Sequence, residues 1–197
     1  MEILERVAFS DVRLDYLNEH PAERDHAGNT NQSGEENLWR AEKLLGVWWR
    51  VRLSRPEVLS VVLPWHTAEG GEFELIPPSG LTVGQVAARV RAFSTDIEKA
   101  NPVCTAKMRV LGQAPITPVH LSTLAVDHID YAGLPCREGL IHLDGLHRML
   151  AWELTGRLAN GPGLEVLIAG DPEGPTGPHT AEGPDGGSSG STGDERE

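Results

Sequence analysis

Gly139-Leu140-Ile141-His142-Leu143-Asp144-Gly145-Leu146-His147-Arg148-Met149-Leu150-Ala151-Trp152-Glu153-Leu154-Thr155-Gly156 is the stretch on which the fold turns. Its first residues, 139–143, form a short apolar run behind a glycine, which suits a buried strand better than a helix. From Leu146 onward, Leu146, Leu150 and Leu154 recur one helical turn apart, and Gly156 stands where a helix ends in a left-handed residue. The sequence therefore predicts a strand passing straight into a helix over 146–155 through Asp144-Gly145. Such a junction leaves the first amides of the helix without intrahelical partners, and these amides form a ready seat for an anion. Gly145 would allow close backbone approach, and His147 and Arg148 would add a switchable and a permanent positive charge. Cations at a helix N-terminus oppose the macrodipole by about 0.3–1 kcal/mol each at exposed sites, a conflict that a bound anion removes. The same residues also have a purely structural use, in which Asp144 caps the helix, Arg148 pairs with Asp144 or Glu153, and His147 is a satisfied surface histidine.

Working outward, residues 164–169 read as a last strand and 115–121 as an extended segment. Phe73-Glu74-Leu75-Ile76 reads as a strand after a Gly70-Gly71 turn, stopped by Pro77-Pro78. Thr82-x-x-Gln85 makes a capping box for a helix whose Val83, Val86, Ala87, Val90 and Phe93 share one stripe. Nearer the N-terminus, a helix capped by Ser10 runs to Asn18 with Val12, Leu14 and Leu17 as its apolar face. A second begins with the Ser33-x-x-Glu36 box and carries Leu38, Ala41, Leu44 and Leu45 as far as Gly46. Val47, Trp49, Val51 and Leu53 alternate as a strand before another box at Ser54-x-x-Glu57. The expected class is α/β (α+β), a small mixed sheet with flanking helices. Its expected parts are an N-terminal helical lobe over 1–70, a core over 71–170 and a disordered acidic tail over 171–197.

The formal net charge is -12, of which the tail contributes -6, so the remainder is mildly acidic. Duplex DNA or RNA demands clustered Lys and Arg, so bulk nucleic-acid binding is not expected, whereas a mononucleotide in a small basic pocket is compatible. Cys104 and Cys136 lack the spacing of a metal knuckle or redox pair and read as reduced packing or site-lining thiols. No stretch suits a membrane span or a secretory leader, which leads to an expectation of a cytoplasmic protein with no membrane partner.

Residues 141–151, Ile-His-Leu-Asp-Gly-Leu-His-Arg-Met-Leu-Ala, resemble the phosphate-binding motif of the ParB/sulfiredoxin superfamily. The segments at 73–78, 115–119 and 164–169 resemble that superfamily's opening, middle and closing strands, so the resemblance covers roughly residues 71–170. It implies that the turn holds phosphates of ATP or ADP, or of CTP, with Mg²⁺. Peroxiredoxin-reducing members carry their catalytic Cys where this chain has Leu146, and partition proteins continue into DNA-binding helices rather than an acidic tail. Free-serine kinases have His directly after the Gly, one place earlier than His147. The resemblance thus implies a stand-alone kinase-like phosphotransferase acting on a hydroxyl of an amino acid or similar small molecule. The alternatives are a non-catalytic nucleotide- or partner-binding regulatory module and a ParB-like DNA-associated factor.

In that reading Gly145, Leu146, His147 and Arg148 hold phosphate, with Lys107 and Arg109 as further phosphate contacts. Asp144 orients metal or substrate, and His142 supports the turn from the preceding strand. The catalytic set is Asp144, His147 and a carboxylate base sought among Glu35, Glu36, Glu72 and Glu74, with Glu36 foremost. His20, Asp25 and His26 form a weaker metal candidate, and residues 29–32 a polar cluster for substrate. Arg148→Ala is expected to abolish nucleotide binding and leave folding cooperative.

Overall fold

The computed structural model describes residues 1–20, 32–66 and 73–174. The Gly70-Gly71 turn, Glu72, Asp25, His26, Asn29 to Asn31, the side chains of Gln32 and Ser33, and the tail beyond residue 174 lie outside the described residues.

The strands are β1 Glu2–Val7, β2 Trp48–Leu53, β3 Val62–Leu63, β4 Leu81–Thr82, β5 Val119–Leu124, β6 Glu138–Asp144 and β7 Leu164–Ala169. The helices are α1 Phe9–Glu19, α2 Gln32–Leu45, α3 Arg55–Ser60, α4 Val83–Ala92, α5 Ser94–Ala100, α6 Pro102–Leu111 and α7 Leu146–Leu154. All strands join one mixed sheet of order β1-β2-β7-β5-β6-β3-β4, in which β5 with β7 and β3 with β6 are parallel and the other pairs antiparallel. Helices flank it, as the sequence pattern predicts.

Strand β7 shows why both faces are covered. Val166 and Ile168 join a core shared with α4, α6 and α7, while Leu167 and Ala169 join a second core shared with α1 and α2. Side chains alternate along a strand, so a run apolar at both parities needs a helix layer on each side. Ile141 and Leu143 of β6 enter the α1/α2 core, which turns His142 the other way.

Four expectations change. Residues 1–70 are not a helical lobe set beside the sheet, because β1, β2 and β3 are strands of it and β2 pairs with β7 along its length. Residues 73–76 contribute a single bridge, Ile76 to His66, rather than a strand, since the two prolines remove the donors that would extend it. The connection after Phe93 folds into α5 and α6, whose buried Ile97, Cys104 and Met108 are too sparse to show a helical stripe in sequence. In α1 the buried pair is Val12 and Tyr16, with Leu14 and Leu17 exposed and no side-chain cap from Ser10.

The caps of α4 and α7 hold as read. Thr82 accepts from the Gln85 amide at 3.3 Å while Gln85 accepts from the Thr82 amide at 2.8 Å. Helix α7 ends with Arg157 N–H on the Trp152 carbonyl at 2.8 Å and Gly156 N–H on that of Glu153 at 3.1 Å, Gly156 having φ 74°. That six-to-one and five-to-two pairing is the Schellman closure.

Candidate functional site

Parallel pairing fixes where the site lies. Because β3 runs parallel to its neighbour β6, both strands end at the same sheet edge, and Pro64-Trp65-His66 emerges beside Asp144-Gly145-Leu146-His147. Helix α6, packed on α7, brings Lys107 to the same place. These residues, together with Glu19, His20 and Tyr131, line a cavity of about 280 Å³. A cavity outside the carboxyl ends of parallel strands is the usual ligand position in open α/β sheets.

Gly145 takes φ 103° as the residue before α7, and a Cβ there would come within 2.4 Å of Val119 Cγ1. The glycine is thus required by left-handed backbone and by contact with β5, whereas the sequence suggested closeness to phosphate as its reason. The Leu146 amide, expected to face an anion, instead donates to His142 Nε2 at 2.9 Å. His142 serves as the side-chain cap of α7, sent back from the strand, and burial brings its pKa down to about 4, so the ring is neutral. Its carbonyl accepts from the Tyr131 hydroxyl at 2.9 Å, and that hydroxyl accepts from Asn37 Nδ2 at 3.3 Å.

Arg148 is almost wholly buried. Its guanidinium donates to Asp144 Oδ2 at 2.6 Å, Thr117 Oγ1 at 2.8 Å, the Pro118 carbonyl at 2.8 Å and Glu19 Oε2 at 3.3 Å. Burial alone would push the Asp144 carboxyl up. Arg148, followed by His120 and His20, holds it well below the usual range instead. His20 Nε2 stands 3.4 Å from Asp144 Oδ1, and His120 Nδ1 is 3.6 Å from Oδ2. The pairing of Arg148 with Asp144, the structural use of these residues, is the one adopted.

His147 turns elsewhere. Burial, then the neighbouring His66, Lys107 and His142, push its pKa well below the ordinary histidine value, so it is a neutral ring and not the positive charge expected at this position. His66, Cys104 and His147 each offer a ligand atom, and these atoms lie within 4.8 Å of one another. His66 Nε2 is 3.2 Å from Cys104 Sγ, and the two imidazoles meet edge to face with centroids 5.2 Å apart.

Other expected residues are not brought here. Glu36 is exposed and paired with Arg40 at 2.5 Å, Glu35 pairs with Arg13 at 2.7 Å, and Arg109 pairs with Glu98 at 2.5 Å. Glu74 accepts from Trp65 Nε1 at 2.8 Å. Besides Asp144, the structure brings to the cavity the carboxylates of Asp130 and of Glu19, the latter at the end of α1. His66 and Glu19 carried no sequence signal, since no motif spacing links residues so distant in the chain.

A family model described as Family of unknown function (DUF6309) matches residues 1–186. The chain belongs to that family. No curated protein and no solved structure matches it. The matched residues include every strand of the sheet. Among the described residues no helix is long and apolar enough to cross a membrane.

Proposed function

We propose that this DUF6309 protein is a small-molecule enzyme acting in the cavity at the β6–α7 turn, with phosphoryl transfer from ATP or ADP to a metabolite hydroxyl as its reaction. The observation that carries this reading is that the Asp144-Gly145-Leu146-His147-Arg148 turn, similar to a phosphate-binding motif, forms a wall of the cavity and faces Lys107 there. CTP is a further nucleotide to test.

The residues fit phosphate in a particular way. Lys107 supplies positive charge, while Arg148 and Asp144 neutralise one another. A phosphate reaching Arg148 would compete with Asp144 for the guanidinium, and the displaced carboxylate would become an oxygen ligand of the kind Mg²⁺ prefers. Bound nucleotide and Mg²⁺ would supply the transferred group and the neutralisation of its charge. The chain's own part is to orient and to move a proton. Glu19, 3.3 Å from Arg148 and on the cavity wall, is the carboxylate best placed to accept the acceptor hydroxyl's proton, in place of Glu36. The cavity is near the lower end of the usual range of roughly 300–1,000 Å³, so it suits the phosphate end and a small acceptor rather than a whole nucleotide.

The test is incubation of the full chain with ATP, ADP or CTP, Mg²⁺ and a pool of free amino acids, with phosphorylated product read by mass spectrometry. Product from wild type and its loss in Glu19→Gln support the reading, and absence of nucleotide binding by calorimetry removes it. The buried Asp144–Arg148 pair favours one alternative, a binding module without turnover, which would show binding and no product.

A further inference from the structure

We propose that His66, Cys104 and His147 form a three-ligand site for a thiophilic divalent cation, Zn²⁺ foremost, with its fourth position open to the cavity. The inference is independent of the nucleotide reading and differs from it in chemistry, because one sulfur and two imidazoles suit Zn²⁺ whereas Mg²⁺ takes oxygen.

The three ligands come from three elements that the fold locks separately. His66 follows β3, and its main chain is pinned by the bridge to Ile76, with N–H to carbonyl distances of 3.1 and 3.4 Å. Cys104 lies in the first turn of α6 and is buried, where the helix end favours negative charge on sulfur. His147 lies in the first turn of α7. Tetrahedral zinc at about 2.3 Å from sulfur and 2.0–2.1 Å from nitrogen sets its ligand atoms roughly 3.3–3.7 Å apart. The 3.2 Å between His66 Nε2 and Cys104 Sγ is close to that spacing, and the 4.8 Å bound on the whole set needs only a small closing movement.

A second observation points to a ligand. The Nε2 of His147 is shielded from solvent and has no hydrogen-bond partner among the described residues. A buried polar atom left unpaired costs about 1–3 kcal/mol, and such atoms call for an explanation. A cation is one that also explains why Cys104 and two histidines converge. A neutral imidazole has one nitrogen lone pair to donate, as a metal requires.

Binding is balanced simply. The sulfur–hydrogen bond breaks, the proton leaves to solvent, and a metal–sulfur bond forms. One thiolate and two neutral rings leave a net positive metal centre, which would take water, hydroxide or an anionic substrate group as fourth ligand. His66 and His147 both line the cavity, so that ligand would sit where substrate enters. Three protein ligands plus one exchangeable position is the pattern of catalytic rather than structural zinc.

The experiment uses the full chain, stripped with a chelator, and Co²⁺ alone as probe. We expect about one Co²⁺ per chain, a sulfur-to-cobalt charge-transfer band with tetrahedral d–d absorption, and displacement by Zn²⁺. Cys104→Ser should lose the charge-transfer band. His147→Ala should weaken binding by about 100-fold or more, since even outer-shell losses cost 10–100-fold. Circular dichroism of each variant checks folding, and Cys136→Ser serves as the thiol control that leaves the band intact. A chain that takes up no Co²⁺ or Zn²⁺, or whose cobalt spectrum survives Cys104→Ser, overturns the site. Neither outcome bears on nucleotide binding, which is measured without transition metal.

Discussion

His147 and Arg148 are consecutive residues in the first turn of one helix, yet they enter opposite kinds of surroundings. Arg148 reaches back to Asp144, Glu19, Thr117 and a carbonyl, so its charge is matched and its donors are used. His147 reaches toward a histidine and a thiol, and its Nε2 has no hydrogen bond among the described residues. Neighbours on a helix point about 100° apart, so two basic residues side by side in sequence need not act on one ligand. One half of the turn is thus finished as structure while the other half still has chemistry to offer.

The largest effect is expected at the finished half. Arg148→Ala leaves Asp144 buried without its main partner, and losing one member of a buried pair costs about 3–5 kcal/mol. That predicts a large fall in the urea midpoint, contrary to the expectation from sequence that this variant would keep its fold and lose only ligand. Pairing Arg148→Met with Asp144→Asn should recover much of the loss, because the uncompensated charge is then gone. A single variant as stable as wild type would mean that the pair is not structural.

Acid offers a second probe. His142 is held neutral in the fold, with a pKa near 4 against 6.5 outside it. Between those values the unfolded chain binds a proton that the folded chain refuses, so stability is full above about pH 6.5 and falls as pH drops toward 4. The loss at this residue is on the order of 3 kcal/mol. His147 is shifted in the same direction and adds to it. Asp144, whose pKa is held down, contributes stability that is lost only at still lower pH. Denaturant midpoints measured from pH 7.5 to 4.5 should hold to about pH 6.5 and decline below it, and a flat profile would show that neither ring is buried neutral.

How much of this the sequence reveals depends on range. The β6–α7 junction, its terminal glycine, the Thr82 box and strand β7 are local patterns, and the chain carries them openly. The partner of each side chain is a different matter. His142 is placed by alternation with Ile141 and Leu143, but its use as the helix cap depends on its reach to Leu146. His66, Cys104 and Glu19 meet the turn only because β3 parallels β6, α6 packs on α7 and α1 covers the other face, and no spacing along the chain encodes that. Glu36 and Arg109 were plausible by residue type alone, and each is taken up by a surface pair with a neighbouring residue.

Gly145 gives an intermediate effect. Alanine there must adopt φ near 103° and push on Val119, so Gly145→Ala should cost more than about 1 kcal/mol. Restoration by Val119→Ala in the same chain would assign part of that cost to contact and the remainder to backbone.

The smallest structural effect sharpens the functional half. Lys107 lines the cavity one turn beyond Cys104 and lowers the His147 pKa by its charge. Lys107→Ala should therefore move thermal stability little, within about 0.5 kcal/mol, as for other substitutions outside the packed core. It should weaken an anionic ligand severalfold while raising the affinity for Co²⁺, because the same positive charge that attracts phosphate repels a cation bound at His147. Opposite movements of the two affinities in one variant would show that the nucleotide and metal readings draw on the same field. If both fell together, the substitution would have damaged the cavity itself.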